Sequence, residues 1–397
     1  MQIGDNKISL FTCAAFGLFF ALVVTAVPTH AQTESVLYSF CAKGKSCPEG
    51  EQPQFVTLVA DAKGNLYGTT TFGGAHKEGT VFRLTAAGVE SVYSFQNNGT
   101  DGIRPLFGVV FDKAGNLYGT TPQGGTNNDG VVYKITSSGV ESVLYAFGTN
   151  PGDGGGPEGA LVNDAAGNLY GTTGGGGAYG NGTVFEVTPS GVETILYSFQ
   201  DNGSDGETPF AGLAMDTQGN LYGTTANGGV YFKGTVFEVT SSGVETILHN
   251  FQENGTDGYY PSYAPLVVDA AGNLYGTTDS GGTHGLGIAF ELTPSGVETI
   301  LHNWGSSTSD GQFPYGGMIL DAAGNLYGTT DTGGPNGEGT VFKLTPSGTE
   351  TILYSFPANP TDGETPLGGL LSLKGSFYGT TYSGGTYGYG TVFKLTP

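Results

Sequence analysis

The chain has 397 residues, and 13 Lys plus Arg stand against 35 Asp plus Glu, a formal net charge of −22. Such acidity repels phosphate backbones and anionic lipid heads, which argues against nucleic-acid and membrane-surface partners. Glycine is abundant at 72 residues, yet 12% of the chain is aromatic, enough to fill a core and to exclude a disordered glycine-rich polymer.

From the N-terminus, Lys7 precedes an apolar run over 8–27 that ends in Pro28-Thr29-His30-Ala31. This reads as a signal peptide over 1–31, cut after Ala31, so that 32–397 is exported to the periplasm or secreted. The run approaches the length of a membrane span, which makes a retained anchor the alternative. After signal removal no membrane insertion is expected. Cys41 and Cys47 then form a pair, which in an oxidising compartment predicts a disulfide. A metal pair would need further His or Cys ligands close by, and the sequence has none there.

The stretch Gly64-Asn65-Leu66-Tyr67-Gly68-Thr69-Thr70 returns at Gly115, Gly167, Gly219, Gly272 and Gly324, and as Gly-Ser-Phe-Tyr-Gly-Thr-Thr at Gly375. The steps are 51, 52, 52, 53, 52 and 51 residues, the signature of a repeat architecture rather than of the two or three domains that length alone suggests. Each repeat holds four strand-like pieces between turn signals. In the fourth these are Ala211 to Asp216, Asn220 to Thr225, Thr235 to Thr240 and Val244 to Phe251. Four strands in about 50 residues is a propeller blade, whereas a β-helix rung is shorter. The chain ends after a third strand, and Glu34 to Phe40 matches a fourth strand. The expectation is an all-β, seven-bladed propeller of four-stranded blades, closed by the N-terminal strand over 34–40 completing the last blade.

Fourth strands carry a Glu near their start (Glu34, Glu90, Glu141, Glu193, Glu245, Glu298, Glu350), read as charge that protects exposed edges. The Asp at the first hairpin (Asp61, Asp112, Asp164, Asp216, Asp269, Asp321, with Ser372 in the last repeat) reads as turn chemistry. His249 and His302 replace a fourth-strand Tyr and read as structural substitutions.

Tandem Gly-Asn-Leu-Tyr-Gly-Thr-Thr, Gly-Gly, Gly-Thr-Val-Phe-Lys-Leu-Thr-Pro-Ser-Gly and Val-Glu-Thr-Ile-Leu-Tyr-Ser-Phe together resemble the Gloeo_Verruco (GloVer) repeat of exported bacterial proteins, over essentially all of 34–397. The resemblance implies a repeat rather than a reaction. Some relatives carry C-terminal anchoring signals, and none is recognisable here.

Two sets of loops are expected on one face. One holds [Asp/Glu]-Gly-x-x-Pro in every blade, beginning at Glu49, Asp101, Asp153, Asp205, Asp257, Asp310 and Asp362. The other is Gly-Gly, four variable residues, then Gly. Within it His76, Tyr179, Tyr231, His284 and Tyr387 share one position, with Tyr259, Tyr260, Tyr263, Phe313 and Tyr315 nearby. Aromatic bodies with polar tips suit sugar faces and protein hot spots, so the first reading is a monomeric binding or scaffold module for a glycan or an extracellular or envelope protein. The bland reading is that these rings cover glycine-rich loops. No cofactor is required. Ca²⁺ is the one ion suggested, because Asp201, Asp205 and Glu207 place oxygens at alternate positions, although turn capping explains Asp205 as well. The alternative function is a glycan hydrolase or lyase using carboxylate or Tyr/His groups on the same face, for which the near-identical blades offer few distinct environments.

Overall fold

The computed structural model describes residues 32–44 and 46–397. The leader expected over 1–31 lies outside the described residues. Seven four-stranded antiparallel sheets form the blades of a closed propeller. Their second strands are Leu66–Thr70, Leu117–Thr121, Leu169–Thr173, Leu221–Thr225, Leu274–Thr278, Leu326–Thr330 and Ser376–Thr381, numbering blades 1 to 7. Ring closure is as expected. Thr33–Ser39 pairs antiparallel with Thr391–Thr396, from Thr33 opposite Thr396 to Ser39 opposite Thr391.

The repeated heptapeptide builds both the blade and its junction. Asp61 Oδ1 accepts the Lys63 and Asn65 amides, both at 2.9 Å, while its Oδ2 accepts the Asn65 side chain at 2.8 Å and the Tyr67 hydroxyl at 3.2 Å. The Asp, Asn and Tyr of the first hairpin are thus one hydrogen-bonded unit, an Asx turn with a tyrosine lid. In blade 6 the Asn325 donors head the contacts that hold Asp321 down at about 2. The glycine before the Asn takes the left-handed conformation that the turn needs, as at Gly219 with φ 84°.

Further along the motif, the first threonine reaches into the next blade. Thr69 Oγ1 donates to Phe107 O at 2.7 Å, Thr172 to Ala211 O at 2.9 Å, and Thr380 to Val56 O at 3.4 Å across the closure. The second threonine stays in its own blade, as in the Thr173–Thr183 hydroxyl pair at 2.8 Å. The glycine before them makes room for a ring. A Cβ on Gly171 would lie 2.7 Å from Phe185 Cζ and 3.0 Å from Leu161 Cδ2. That third-strand ring meets an aromatic from the preceding blade edge to face, with Phe147–Phe185 centroids 5.1 Å apart and Phe199–Phe237 5.0 Å apart. The core is accordingly split into seven clusters, each lying between two blades.

Two outcomes test this account. Deleting 34–40 removes an edge strand together with Phe40, whose side chain is fully buried, and exposes Thr391–Thr396. The truncated protein should melt well below the intact one and self-associate. Calorimetry and sedimentation showing an unchanged, monomeric protein would overturn the closure. Separately, Gly171→Ala should cost about 1–3 kcal/mol through overpacking, read from denaturant unfolding.

Candidate binding face

The two loop families do share one face, because they pair with each other. Gly102 lies opposite Gly124, and five further two-residue ribbons repeat that pairing in blades 3 to 7. The residue before each proline is left-handed: Gln52, Arg104, Thr208, Tyr260, Phe313 and Thr365 have φ of 57°, 58°, 53°, 57°, 55° and 53°. For bulky side chains this is strained backbone, held only where its surroundings over-determine it. Hydrogen bonds do so here. Tyr260 N–H donates to Lys233 O of the preceding blade at 3.0 Å, and its carbonyl accepts the Asp279 amide at 3.2 Å. Phe313 repeats both bonds with Leu286 O and the Asp331 amide.

The residues after those prolines crowd the ring centre. Phe55 of blade 1 stacks on Tyr263 of blade 5 with centroids 4.2 Å apart and planes within 7°. Phe107, Phe210 and Tyr315 extend the stack, the last meeting Tyr263 edge-on at 6.2 Å. Beside it opens a cleft of about 570 Å³, lined by Phe210, Tyr260, Tyr263, Tyr315, Ser262 and Asp279.

Three carboxylates make this centre asymmetric: Asp279, Asp331 and, near Tyr263, Glu158 of blade 3, which burial also pushes up. The residue after Gly-Thr-Thr is Asp only in blades 5 and 6. Burial pushes Asp279 up to about 7 against hydrogen bonds from Ser262, and pushes Asp331 up to about 6. Burial, with both acids as neighbours, drives the Tyr315 hydroxyl up to about 12. Neither Asp is among the residues singled out from the sequence. The signal was a variable position inside an otherwise constant motif: Thr71, Pro122, Gly174, Ala226, Asp279, Asp331 and Tyr382.

The expected aromatic ring lies farther out. His76, Tyr179, Tyr231, His284 and Tyr387 are all exposed, on loops that lean over the fourth strands through bonds such as Ala75 N to Ser94 Oγ at 2.8 Å. No ring contact joins any two of the five among the described residues, whereas the Tyr263 and Tyr315 rings join the central stack. Of the calcium candidates, Asp205 spends both oxygens on protein donors. Oδ2 accepts Tyr197 Oη at 2.7 Å and Gln200 N at 2.8 Å, and Oδ1 accepts Gly206 N at 2.7 Å. Asp201 is exposed and Glu207 half-buried. Cys41 and Cys47 are bonded to each other.

A sequence profile of the Gloeobacter/Verrucomicrobia repeat matches residues 17–223 and again 212–397. The chain belongs to the Gloeobacter/Verrucomicrobia repeat family. No curated protein matches it. Among solved structures it is similar to the extracellular domain of the one-component system BT4673 of B. thetaiotaomicron, at 17% identity and TM-score 0.55, over 87% of this chain and 40% of that one. A second structure of that domain, described as part of a hybrid two-component system, gives 13% identity and TM-score 0.59 over 91% and 39%. The extracellular domain of the hybrid two-component system BT3049 of B. thetaiotaomicron gives 12% and 0.58 over 92% and 41%. At such identities the likeness is one of fold, and the chain spans about two-fifths of the length of those structures.

In this Gloeobacter/Verrucomicrobia repeat the fourth-strand glutamates are not edge charges. Six of the seven are half-buried and turn inward against the loop Asp of their own blade, which a fourth-strand Tyr or His of the preceding blade also meets. At the junction of blades 1 and 2, Tyr93 Oη donates to Asp101 Oδ2 at 2.7 Å, while Asp101 Oδ1 and Glu141 Oε1 are buried with no hydrogen-bond partner. Burial and the neighbouring carboxylate push Glu141 and Glu193 up to about 7. A proton held by the Glu lets such a pair lie together out of water. Glu90 alone points to solvent, where it pairs with Arg83. Gly88–Ser94 has one residue fewer between Glu and Phe, so Val89 lies opposite Leu84 where Glu193 lies opposite Val187. A one-residue slip has exchanged the two faces.

These raised acids bind protons more tightly when folded. Their stabilisation is full below about 4.5 and is lost as pH rises through about 7. The melting temperature should fall across that window, and the double variant Glu141→Gln, Glu193→Gln should flatten the fall and melt higher than wild type above it. Scanning calorimetry against pH checks this. A variant less stable than wild type in mild alkali would refute the inward carboxyl pairs.

Proposed function

We propose that this repeat propeller is an exported binding module that takes a glycan of the cell envelope, or a protein partner, on its loop face around the central aromatic stack. One observation carries the reading: Asp279 and Asp331 of blades 5 and 6, with Glu158 of blade 3, set carboxylates beside the stacked rings of Tyr263 and Tyr315. Aromatic faces pack on the apolar faces of sugars, and carboxylates accept hydrogen bonds from their hydroxyls. The net charge of −22 favours neutral or amino sugars over acidic polymers. His76, Tyr179, Tyr231, His284 and Tyr387 extend the surface outward, as a rim for a long chain. Export is supported by the leader-like run over 8–27 and by the Cys41–Cys47 bond, which belongs to oxidising compartments.

A second reading has an observation of its own. Asp279, raised to about 7, and Asp331, raised to about 6, form a graded pair of carboxyls of the kind that general acid–base cleavage of a glycan uses.

The test is a screen of neutral and amino-sugar oligosaccharides, with the best binder carried into calorimetry and its products checked by mass spectrometry. Tyr263→Ala and Asp279→Asn should each weaken binding by about 1–3 kcal/mol, by analogy with aromatic hot spots, and the Tyr179→Ala, Tyr231→Ala pair by less. Affinity untouched by the central changes but lost with the outer pair would move the site to the rim. Cleavage abolished by Asp279→Asn with affinity kept would favour the enzyme.

A further inference from the structure

Two blade junctions carry a His where their sisters carry the fourth-strand Tyr. Where four junctions set a Tyr hydroxyl against the Asp–Glu pair, the junction of blades 4 and 5 sets His249 against Asp257 and Glu298, and that of blades 5 and 6 sets His302 against Asp310 and Glu350. We propose that these two triads are binding sites for a first-row divalent cation of the zinc type.

The chemistry of the donors changes with the substitution. A tyrosine hydroxyl donates a hydrogen bond to the Asp, as Tyr93 does to Asp101. A neutral imidazole offers a lone pair instead, and with two carboxylates it makes a three-ligand nitrogen–oxygen set. Imidazole in that set favours zinc-like ions over Ca²⁺ or Mg²⁺, which prefer oxygen alone.

The geometry matches the ion. His249 Nε2 lies 3.5 Å from Asp257 Oδ2 and 3.7 Å from Glu298 Oε1. His302 Nε2 lies 3.3 Å from Asp310 Oδ1 and 3.8 Å from Glu350 Oε2. Ligands about 2.1 Å from a tetrahedral zinc stand about 3.4 Å from one another, so each triad needs only to tighten slightly. In each triad the three ligand atoms lie within 4.8 Å of one another.

A second observation points the same way at the junction of blades 4 and 5. His249 Nε2, Asp257 Oδ1 and Glu298 Oε1 are all buried, and none has a hydrogen-bond partner. The bare oxygens recur at sister junctions, as at Asp101 Oδ1 and Glu141 Oε1, so the buried, unpartnered imidazole nitrogen is what sets this junction apart and calls for a positive partner.

Outer contacts hold the ligands in place. Gln252 N donates to Asp257 Oδ2 at 3.0 Å, and Ser306 N and Oγ both donate to Asp310 Oδ2 at 2.9 Å. Trp304 Nε1 donates to Glu350 Oε1 at 3.3 Å, which leaves Oε2 for the imidazole. A bound ion would staple blade 4 to 5 and blade 5 to 6, and would stabilise the fold by linkage.

The test uses the chelator-treated full chain, Zn²⁺ titration calorimetry and the visible spectrum of the Co²⁺ form. Two equivalents of Zn²⁺ should bind, His249→Tyr and His302→Tyr should each remove one, and the double variant both. Each change restores the residue of the sister junctions, so the metal-free variants should melt close to wild type, while Zn²⁺ raises the melting point of wild type only. Co²⁺ should give the intense visible bands of a low-coordinate site, lost with the histidines. A wild type that takes up no Zn²⁺ overturns the proposal, as does uptake that survives the double substitution, with the exposed His76 and His284 then holding the ion. Displacement of Zn²⁺ by equimolar Ca²⁺ overturns the assignment to zinc-type ions.

Discussion

No blade of this propeller is finished by its own residues. The threonine hydroxyl at the middle of each Gly-Thr-Thr strand satisfies a buried carbonyl of the next blade, and Thr380 to Val56 brings that chain of bonds round to its start. A carbonyl stranded without its donor costs about 1–3 kcal/mol when buried. The glycine beside it is equally constrained, since the third-strand ring lies where its Cβ would go. Hydrogen bond and ring together fix the spacing between blades, and everything on the loop face inherits that spacing.

From this follows where variation is permitted. The core residues answer to two blades at once, so the heptapeptide is almost constant. The residue just after it leaves the strand towards the central cleft and is held differently from blade to blade: Thr71 bonds to Pro105 O of the next blade, while blades 5 and 6 place Asp279 and Asp331 there. Rigid junctions also carry the strain at Tyr260 and Phe313, whose left-handed backbones are pinned by one bond to the preceding blade and one to their own. The candidate site is thus made of loops by position but of scaffold by stiffness, as preorganised recognition requires.

The architecture was legible in the sequence because it is written seven times. Period, strand count and the unmatched strand at Glu34 to Phe40 determine the propeller and its closure, and Asp61 with its copies acts in the turn as read. The glutamates were misread for a physical reason. Alternation along Glu193–Ser198 says which residues share a side, but only the pairing across a bulge between Val184 and Phe185 says which side faces the next blade. His249 and His302 were visible as exceptions, yet their partners Glu298 and Glu350 lie about fifty residues on, and that closeness exists only in the folded ring. Asp279 and Asp331 are faint in the sequence because each is a single variable letter after a constant motif, whereas His76 and Tyr179 stand out within long variable loops.

The residue missing from Gly88–Ser94 gives the junction of blades 7 and 1 a different character from its sister junctions. Most junctions bring two carboxyls together, and in alkali their deprotonation sets like charges face to face. The junction of blades 7 and 1 holds Val89 in that place, packed with Phe40, Val56 and Leu84. Its cohesion is therefore apolar and indifferent to proton loss from such a pair. A ring strained by alkali would part first at the junctions that hold carboxyl pairs, blade from blade, while the junction of blades 7 and 1 keeps its apolar packing. The clasp between the chain's two ends lies instead inside blade 7, where Glu34 on the closing strand faces Asp362 and shares the sensitivity of the other carboxyl pairs.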